Sequence, residues 1–282
     1  MILVTGATGA VGREVAGQLA DAGPVRILAR RPERLTVRGT GVEVVQGAYG
    51  DRAALDRALR GVDAVFLVTN DPAEPDDERV AAAAAAAGVR HLVKLSMMAV
   101  EEPDAEDFIT RRQRENEQAV RDSGVPWTFV RPRTFMSNTL SWAPGIRSAG
   151  VVRALYGDAP VACVDPRDVA AVAVAALTGT GHEGRAYAVS GPEAITAREQ
   201  TAQLSRVLGR PLRFEELGVD AARTALMAKY PLPVAEAFLQ SAERQRTGAK
   251  ASVVPTVQEL TGRPARPFRD WSAEHAEAFA PE

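Results

Sequence analysis

The stretch Thr5-Gly6-Ala7-Thr8-Gly9-Ala10-Val11-Gly12 follows the apolar run Ile2–Thr5 at once and opens a helical pattern that extends to Ala22. Its three glycines stand in G-x-x-G-x-x-G spacing. Glycine permits a tight turn and close approach of backbone to a pyrophosphate, while the start of a helix offers unpaired N–H groups and the positive end of its dipole. A second β-branched run, Val25–Ala29, completes strand, loop, helix and strand at the spacing of a dinucleotide-binding unit. Gly6, Thr8, Gly9, Ala10, Val11 and Gly12 are therefore the predicted phosphate cradle. An ordinary βα turn that happens to be glycine-rich is the competing reading.

Outward from this loop, the first 130 residues alternate short β-branched runs with helical stretches, as a parallel sheet covered by crossover helices requires. Strands are read at Ala64–Val68, Leu92–Leu95 and Thr128–Val130, besides Val42–Val45, and helices at Ala53–Leu59, Asp77–Ala87 and Asp104–Ser123. Gly23-Pro24, Gly61 and Gly88 supply the stops. Seven consecutive alanines, Ala81 to Ala87, read as a tightly packed crossover helix rather than as low complexity. Beyond Pro132 the alternation loosens into helices near Asp168–Leu177, Arg198–Leu208, Ala221–Lys229 and Ala235–Gln245, one strand at Ala186–Ser190 and a last helix near Trp271. The expectation is an α/β fold, a Rossmann-type doubly wound parallel sheet with a smaller mixed C-terminal lobe. Residues 1–132 form the nucleotide domain and 133–282 the smaller substrate-binding lobe, with some segments returning to the sheet.

The chain's 282 residues carry a formal charge of -2, with 46% hydrophobic and 25% charged residues. That balance argues against binding nucleic acid through bulk positive charge. The longest clearly apolar runs, Val80–Ala87 and Val169–Leu177, fall short of the roughly 20 residues that span a bilayer. With no basic leader and no membrane span, the expected location is cytoplasmic. A single cysteine, Cys163, cannot form an internal disulfide, and no Cys/His cluster has metal-ligand spacing, so no metal is expected. Oligomeric state is not legible.

An acidic residue at the end of the second strand would bond the ribose 2′-hydroxyl of NAD; Arg30-Arg31 stands there instead. A guanidinium pairs with a 2′-phosphate and stacks on adenine. NADP(H) is thus favoured over NAD(H), without flavin, although a solvated strand end is the alternative for two arginines in an arginine-rich chain.

These features resemble the NmrA-like group of atypical short-chain dehydrogenases, relatives of NAD(P)H:quinone oxidoreductases and of NADPH-sensing regulators. The residues carrying the resemblance are the three glycines, Leu28-Ala-Arg-Arg31, Val65-Phe-Leu-Val-Thr69, Val93-Lys-Leu-Ser96, and Ser123-Gly124-Val-Pro-Trp-Thr-Phe-Val-Arg-Pro132 followed by Phe135-Met136-x-Asn138. The family implies a cofactor lying across strand ends at Val68, Thr69, Ser96 and Pro132, with substrate entering between the two lobes. Where the family usually has Gly-Asp after the third strand, this chain has Gly47-Ala48-Tyr49, so Ala48 backbone and Tyr49 are expected at the adenine. Quinone-reducing relatives commonly place a histidine four residues before the glutamate of the long helix. Glu117 matches that glutamate, and Gln113 stands where the histidine would be.

Carbonyl reduction in catalytic short-chain dehydrogenases uses a Tyr-x-x-x-Lys pair on one helix face. Only three lysines exist, Lys94, Lys229 and Lys250, preceded at the fourth position by Arg90, Ala225 and Arg246, so that pair is absent. Hydride transfer to an electron-poor quinone asks less of the protein, because water can protonate the product. Ser96, Gln113 and Arg133 are the candidate catalytic residues, Arg133 as a cation facing a developing oxyanion. For Ser96 a hydrogen bond to loop backbone, and for Gln113 a solvated helix face, are the competing readings. Met97, Met98, Phe108, Phe135, Met136 and Trp142 are the candidate substrate-binding residues for a flat hydrophobic molecule, against a base-rate reading as core.

Two functions follow. The first is an NAD(P)H-dependent reductase of a quinone or polycyclic aromatic ketone, in aromatic polyketide tailoring or as a partner in quinone hydroxylation. The second is a non-catalytic NADP-binding redox sensor of the NmrA type.

Overall fold

In the computed structural model, which describes residues 1–69 and 71–280, the β-branched runs of the first half pair side by side. They are β1 (Ile2–Thr5), β2 (Val25–Ala29), β3 (Val42–Gln46), β4 (Ala64–Leu67), β5 (His91–Leu95) and β6 (Trp127–Pro132). Between them run α1 (Ala10–Ala22), α2 (Arg52–Leu59), α3 (Asp76–Ala86) and α4 (Phe108–Asp122). The second half adds α5 (Ala143–Ala149), β7 (Val151–Ala154), α6 (Pro166–Thr178), β8 (Arg185–Val189), α7 (Ala197–Val207) and β9 (Arg213–Glu216). It ends in α8 (Val219–Met227), α9 (Leu232–Arg246), α10 (Thr256–Thr261) and α11 (Phe268–Glu274).

The main sheet is parallel throughout, in the order β3-β2-β1-β4-β5-β6-β8. Strand order therefore reverses between β1 and β4, and the crevice beyond their carboxyl ends is where open α/β sheets bind ligands. Successive strand residues face opposite sides. Val4, Phe66, Val93 and Val130 pack under α1 and α6, whereas Leu3, Val65, Leu92 and Phe129 pack under α2, α3 and α4. The alanine run is α3, and Ala81, Ala83 and Ala84 are buried in that second layer.

A third apolar cluster, containing Met136, Ile146, Val152, Leu204, Phe268, Trp271 and Phe279, is the core of the smaller lobe. Beside it lies a two-stranded parallel sheet, β7 with β9, that the sequence reading does not anticipate. Its strands are four residues each, and β9 reads Arg-Phe-Glu-Glu, too short and polar for a periodicity signal. The long helix also starts later than expected, at Phe108. Asp107 caps it by accepting from the Thr110 N–H at 2.9 Å, and Arg114 donates to the carbonyls of Val100, Glu102 and Ala105, holding the preceding segment as a loop.

Strand alternation places Lys94 in the same layer as Leu92, fully buried. Its ammonium lies 2.5 Å from Asp77, which is 1% exposed in the first turn of α3. Removing one member strands a buried charge. Lys94→Met should cost about 3–5 kcal/mol in urea unfolding, and adding Asp77→Asn should return part of that loss; no difference between the single and double variants would contradict the pairing.

Candidate active site

Gly6 adopts φ +64°, and a Cβ there would lie 2.8 Å from the Val68 side chain. A Cβ on Gly12 would lie 2.3 Å from the Gly6 carbonyl oxygen, so α1 can start this close to β1 only with glycine at that position. Helix α1 begins after Gly9 with no side-chain cap, leaving first-turn N–H groups turned to the crevice. Beside them is a cavity of about 320 Å³ whose walls include Thr8, Arg30, Arg31, Arg34, Ala48 and Tyr49. Of the three acidic residues on its rim, Glu74 and Asp76 are paired with Arg79, and Asp71 accepts from the Ala73 N–H. Three further arginines at a polar cavity, next to an uncapped helix start, fit a phosphorylated dinucleotide.

Strand ends at the crevice are anchored from behind. The Thr5 hydroxyl accepts from the Val68 N–H at 2.7 Å, and the Tyr49 hydroxyl donates to the Val68 carbonyl at 2.9 Å. Burial raises the Tyr49 phenol above its ordinary range. Thr69 donates to Asp77 at 2.5 Å, so the buried Lys94–Asp77 pair also holds the end of β4. Ser96, just past β5, donates to Glu117 of α4 at 2.6 Å. Glu117 is 2% exposed and also accepts both Nε (2.8 Å) and Nη2 (2.5 Å) of Arg131 from β6, and Nη2 of Arg121 at 3.1 Å. Burial pushes the Glu117 carboxyl up, but the bonds from Arg131 and Ser96 and the two guanidinium charges outweigh it and hold it below its ordinary value.

Two further cavities open at these strand ends. The larger, about 640 Å³, lies between α4 and the α8–α9 turn, with Thr69, Phe108, Ile109, Gln113, Asn116, Tyr230 and Phe238 among its walls. Tyr230 and Phe238 meet edge-to-face with centroids 5.1 Å apart. The smaller, about 270 Å³, is bounded by Ser96, Met97, Met98, Pro132, Arg133, Phe135 and Lys250. Phe238 forms part of both.

The structure thus brings together at the strand ends most residues singled out from the sequence. Val11 and Gly12 are buried in the first turn of α1. Ser96 gives its hydrogen bond to a carboxylate, which neither sequence reading anticipates. Gln113 faces the larger cavity with its Oε1 unbonded, whereas neighbouring Arg114 is spent on loop carbonyls. Arg133 is bonded to Glu102 at 2.6 Å. Met136 and Trp142 go elsewhere: Met136 is 1% exposed and both pack in the smaller lobe's core, because the turn after β6 carries them behind the cleft wall. Lys250, Arg244 and Glu102 at the smaller cavity, and the pairing of Glu117 with Arg131, are not among the features the sequence singles out. A lone Lys250 in a lysine-poor chain was the available signal. No group of acidic, histidine or cysteine residues among those described is placed to hold a metal, and no described helix is long and apolar enough to cross a membrane.

A lowered carboxyl pKa contributes stability that is complete above the unfolded-state value and is lost as pH falls through the folded-state value. Glu117→Gln should therefore be less stable than the parent at neutral pH, with the gap closing as pH drops below the ordinary 4.5. A gap that stays constant to lower pH in denaturant titrations would contradict the charged role of Glu117.

Several known proteins are similar to this chain. The NmrA-like family model matches residues 1–260. The chain is 99% identical over 282 residues, all of both chains, to a (4-alkanoyl-5-oxo-2,5-dihydrofuran-3-yl)methyl phosphate reductase of Streptomyces griseus subsp. griseus. It is 40% identical over 288 residues, 99% of each chain, to an NAD(P)H azoreductase of Xenophilus azovorans. Among solved structures, an NADPH-dependent quinone oxidoreductase of Escherichia coli complexed with NADPH superposes with TM-score 0.85 at 28% identity, covering 98% of this chain and 99% of that one. Of the two functions open from the sequence, the reductase is the one these relatives bear out. The chain belongs to the NmrA-like family, as one of its NAD(P)H-dependent reductases.

Proposed function

We propose that the chain uses NADPH to reduce the ring alkene of a (4-alkanoyl-5-oxo-2,5-dihydrofuran-3-yl)methyl phosphate. The observation that carries this reading is the 99% identity, over the full length of both chains, to a reductase of that substrate. The chemistry supports it. In such a ring the C3=C4 bond is conjugated with the lactone carbonyl at C5 and with the alkanoyl carbonyl on C4. Addition at C3 leaves the electron pair on a 1,3-dicarbonyl enolate, which water can protonate at C4. A quinone shares this property of accepting hydride without a strong acid beside it.

The cleft is built for that kind of reaction. There is no Tyr-x-x-x-Lys pair, and the Thr69 and Ser96 hydroxyls at the strand ends already donate to Asp77 and Glu117. Their role in this reading is to fix the strand ends, while the 1,3-dicarbonyl system itself spreads the enolate charge. Gln113, with a buried unbonded oxygen, accepts from a ligand amide N–H rather than supplying a proton. The nucleotide half, residues 1–132, holds the cofactor through the loop from Gly6 to Gly12, Ala48, Tyr49, Val68, Thr69 and Pro132. Bound there, NADPH supplies the hydride. Arg30 and Arg31, which border the cavity beside the loop, are assigned to the 2′-phosphate and make NADPH the preferred cofactor.

Loss of NADPH absorbance on adding the furanone phosphate, compared with a naphthoquinone, tests the substrate. Turnover of the naphthoquinone with none of the furanone would refute the proposal. Exchanging Arg30 for aspartate should lower the NADPH-to-NADH preference in kcat/KM by about tenfold or more, the loss of one charge-assisted bond; an unchanged ratio would remove the 2′-phosphate assignment.

A further inference from the structure

The smaller cavity is lined or backed by an unusual concentration of charge. Arg133 follows β6, Arg244 lies in the last turn of α9, and Lys250 follows that helix. Facing them are two carboxylates, Glu102 and Asp107. Arg133 bonds Glu102 at 2.6 Å, and Arg244 bonds Asp107 at 2.7 Å and approaches Glu102 at 3.4 Å. These five groups leave one positive charge in excess. Among the described residues, the Arg133 Nε is buried without a hydrogen-bond acceptor and the Lys250 ammonium bonds the Ser241 hydroxyl at 2.8 Å, while the Arg244 Nε lies 3.4 Å from the likewise unbonded Glu102 Oε2. Buried donors without acceptors are costly unless a ligand completes them.

We propose that this cluster is the subsite for the phosphate of the substrate, with Lys250 and Arg133 as its direct contacts and Arg244 as the residue that positions Glu102 beside them. The assignment rests on the reductase reading above. It divides the cleft by chemistry. The other anion site, at the start of α1 and at Arg30 and Arg31 just past β2, shares no lining residue with this cavity and suits the cofactor's own phosphates. The larger cavity, walled by Phe108, Ile109, Tyr230, Val234 and Phe238, is mostly apolar and suits an alkanoyl chain. Phe238 borders both, so a ring lying between them presents its phosphomethyl group to one side and its acyl chain to the other.

Burial and the neighbouring Arg244 and Arg133 charges push the Lys250 ammonium down to about 8, against the opposing pull of Glu102 and Asp107. A phosphate monoester reaches its dianionic form above roughly pH 6. Recognition is accordingly strongest from about pH 6 to about 8 and weakens as Lys250 loses its proton.

The test compares kcat/KM for the phosphorylated furanone and for its dephosphorylated alcohol. In the parent protein the phosphate should be preferred, and Lys250→Met should cut that preference by about tenfold to a hundredfold, through KM, as expected for a hydrogen bond to a charged group. Lys250→Arg should restore most of it, and the rise of KM above pH 8 should vanish in Lys250→Met. Calorimetry of inorganic phosphate binding to the NADP-saturated proteins reads the subsite without turnover. If the parent turns over neither furanone yet binds phosphate in a manner that Lys250→Met abolishes, the subsite stands and the substrate reading falls. If Lys250→Met melts like the parent and keeps both the preference for the phosphorylated substrate and the phosphate affinity, the subsite is overturned.

Discussion

The carboxylate of Glu117 is bonded at once to Ser96 past β5, to Arg131 in β6 and to Arg121 one helical turn away. Arg131 in turn reaches Glu101 in the loop that leads to α4. Two strand ends and the long helix are thereby locked to one buried charge. The geometry of both outer cavities depends on it, since α4 carries the wall of the larger one and Ser96 borders the smaller. A buried ion pair is a weak source of net stability, but removing one partner is costly because the other charge remains. What the network provides is a fixed spacing between sheet and helix, which is the property a hydride-transfer site needs.

The same commitment of polar groups defines the chemistry. Groups that could act as acids at the strand ends are tied to carboxylates: Thr69 to Asp77, Ser96 to Glu117. A short-chain dehydrogenase of the usual kind needs a tyrosine whose pKa a lysine lowers; here one of the three lysines, Lys94, is an internal counter-ion for Asp77. Such a site is suited to acceptors whose reduced form is already a stabilised anion. Quinones, azo compounds and acyl furanones, the acceptors of its relatives, differ in shape but share an electron-poor conjugated centre. Selectivity among them then falls to the walls of the cleft.

The nucleotide half was legible because its signals are local. The glycine spacing and the run of β-branched residues at Ile2–Thr5 and Val25–Ala29 report backbone constraints that act within a few residues. The alanine run was readable as a crossover helix because Gly88 ends it before a strand. The parts that escaped depend on partners distant in the chain. Nothing near Lys94 indicates Asp77, and nothing near Glu117 indicates Arg131. Lys250 has no tyrosine four residues earlier to mark it, and its neighbours in space, Arg133 and Glu102, come from other elements. The late start of helix α4 is not legible in the sequence because Arg114, which holds its leading segment as a loop, acts through tertiary hydrogen bonds. Met136 and Trp142 look like cleft residues by type and sequence position, yet the turn after β6 delivers them to the smaller lobe's core.

Hydride addition to the ring alkene, rather than to a carbonyl, leaves a direct signature in the product. NADPH deuterated at the transferred position, followed by NMR of the product from the furanone phosphate, locates the hydride directly. Deuterium is expected at ring carbon C3, which bears the phosphomethyl group, with the hydrogen at C4 drawn from solvent. Deuterium on the former carbonyl carbon of the alkanoyl chain would mean ketone reduction and would contradict addition to the ring alkene.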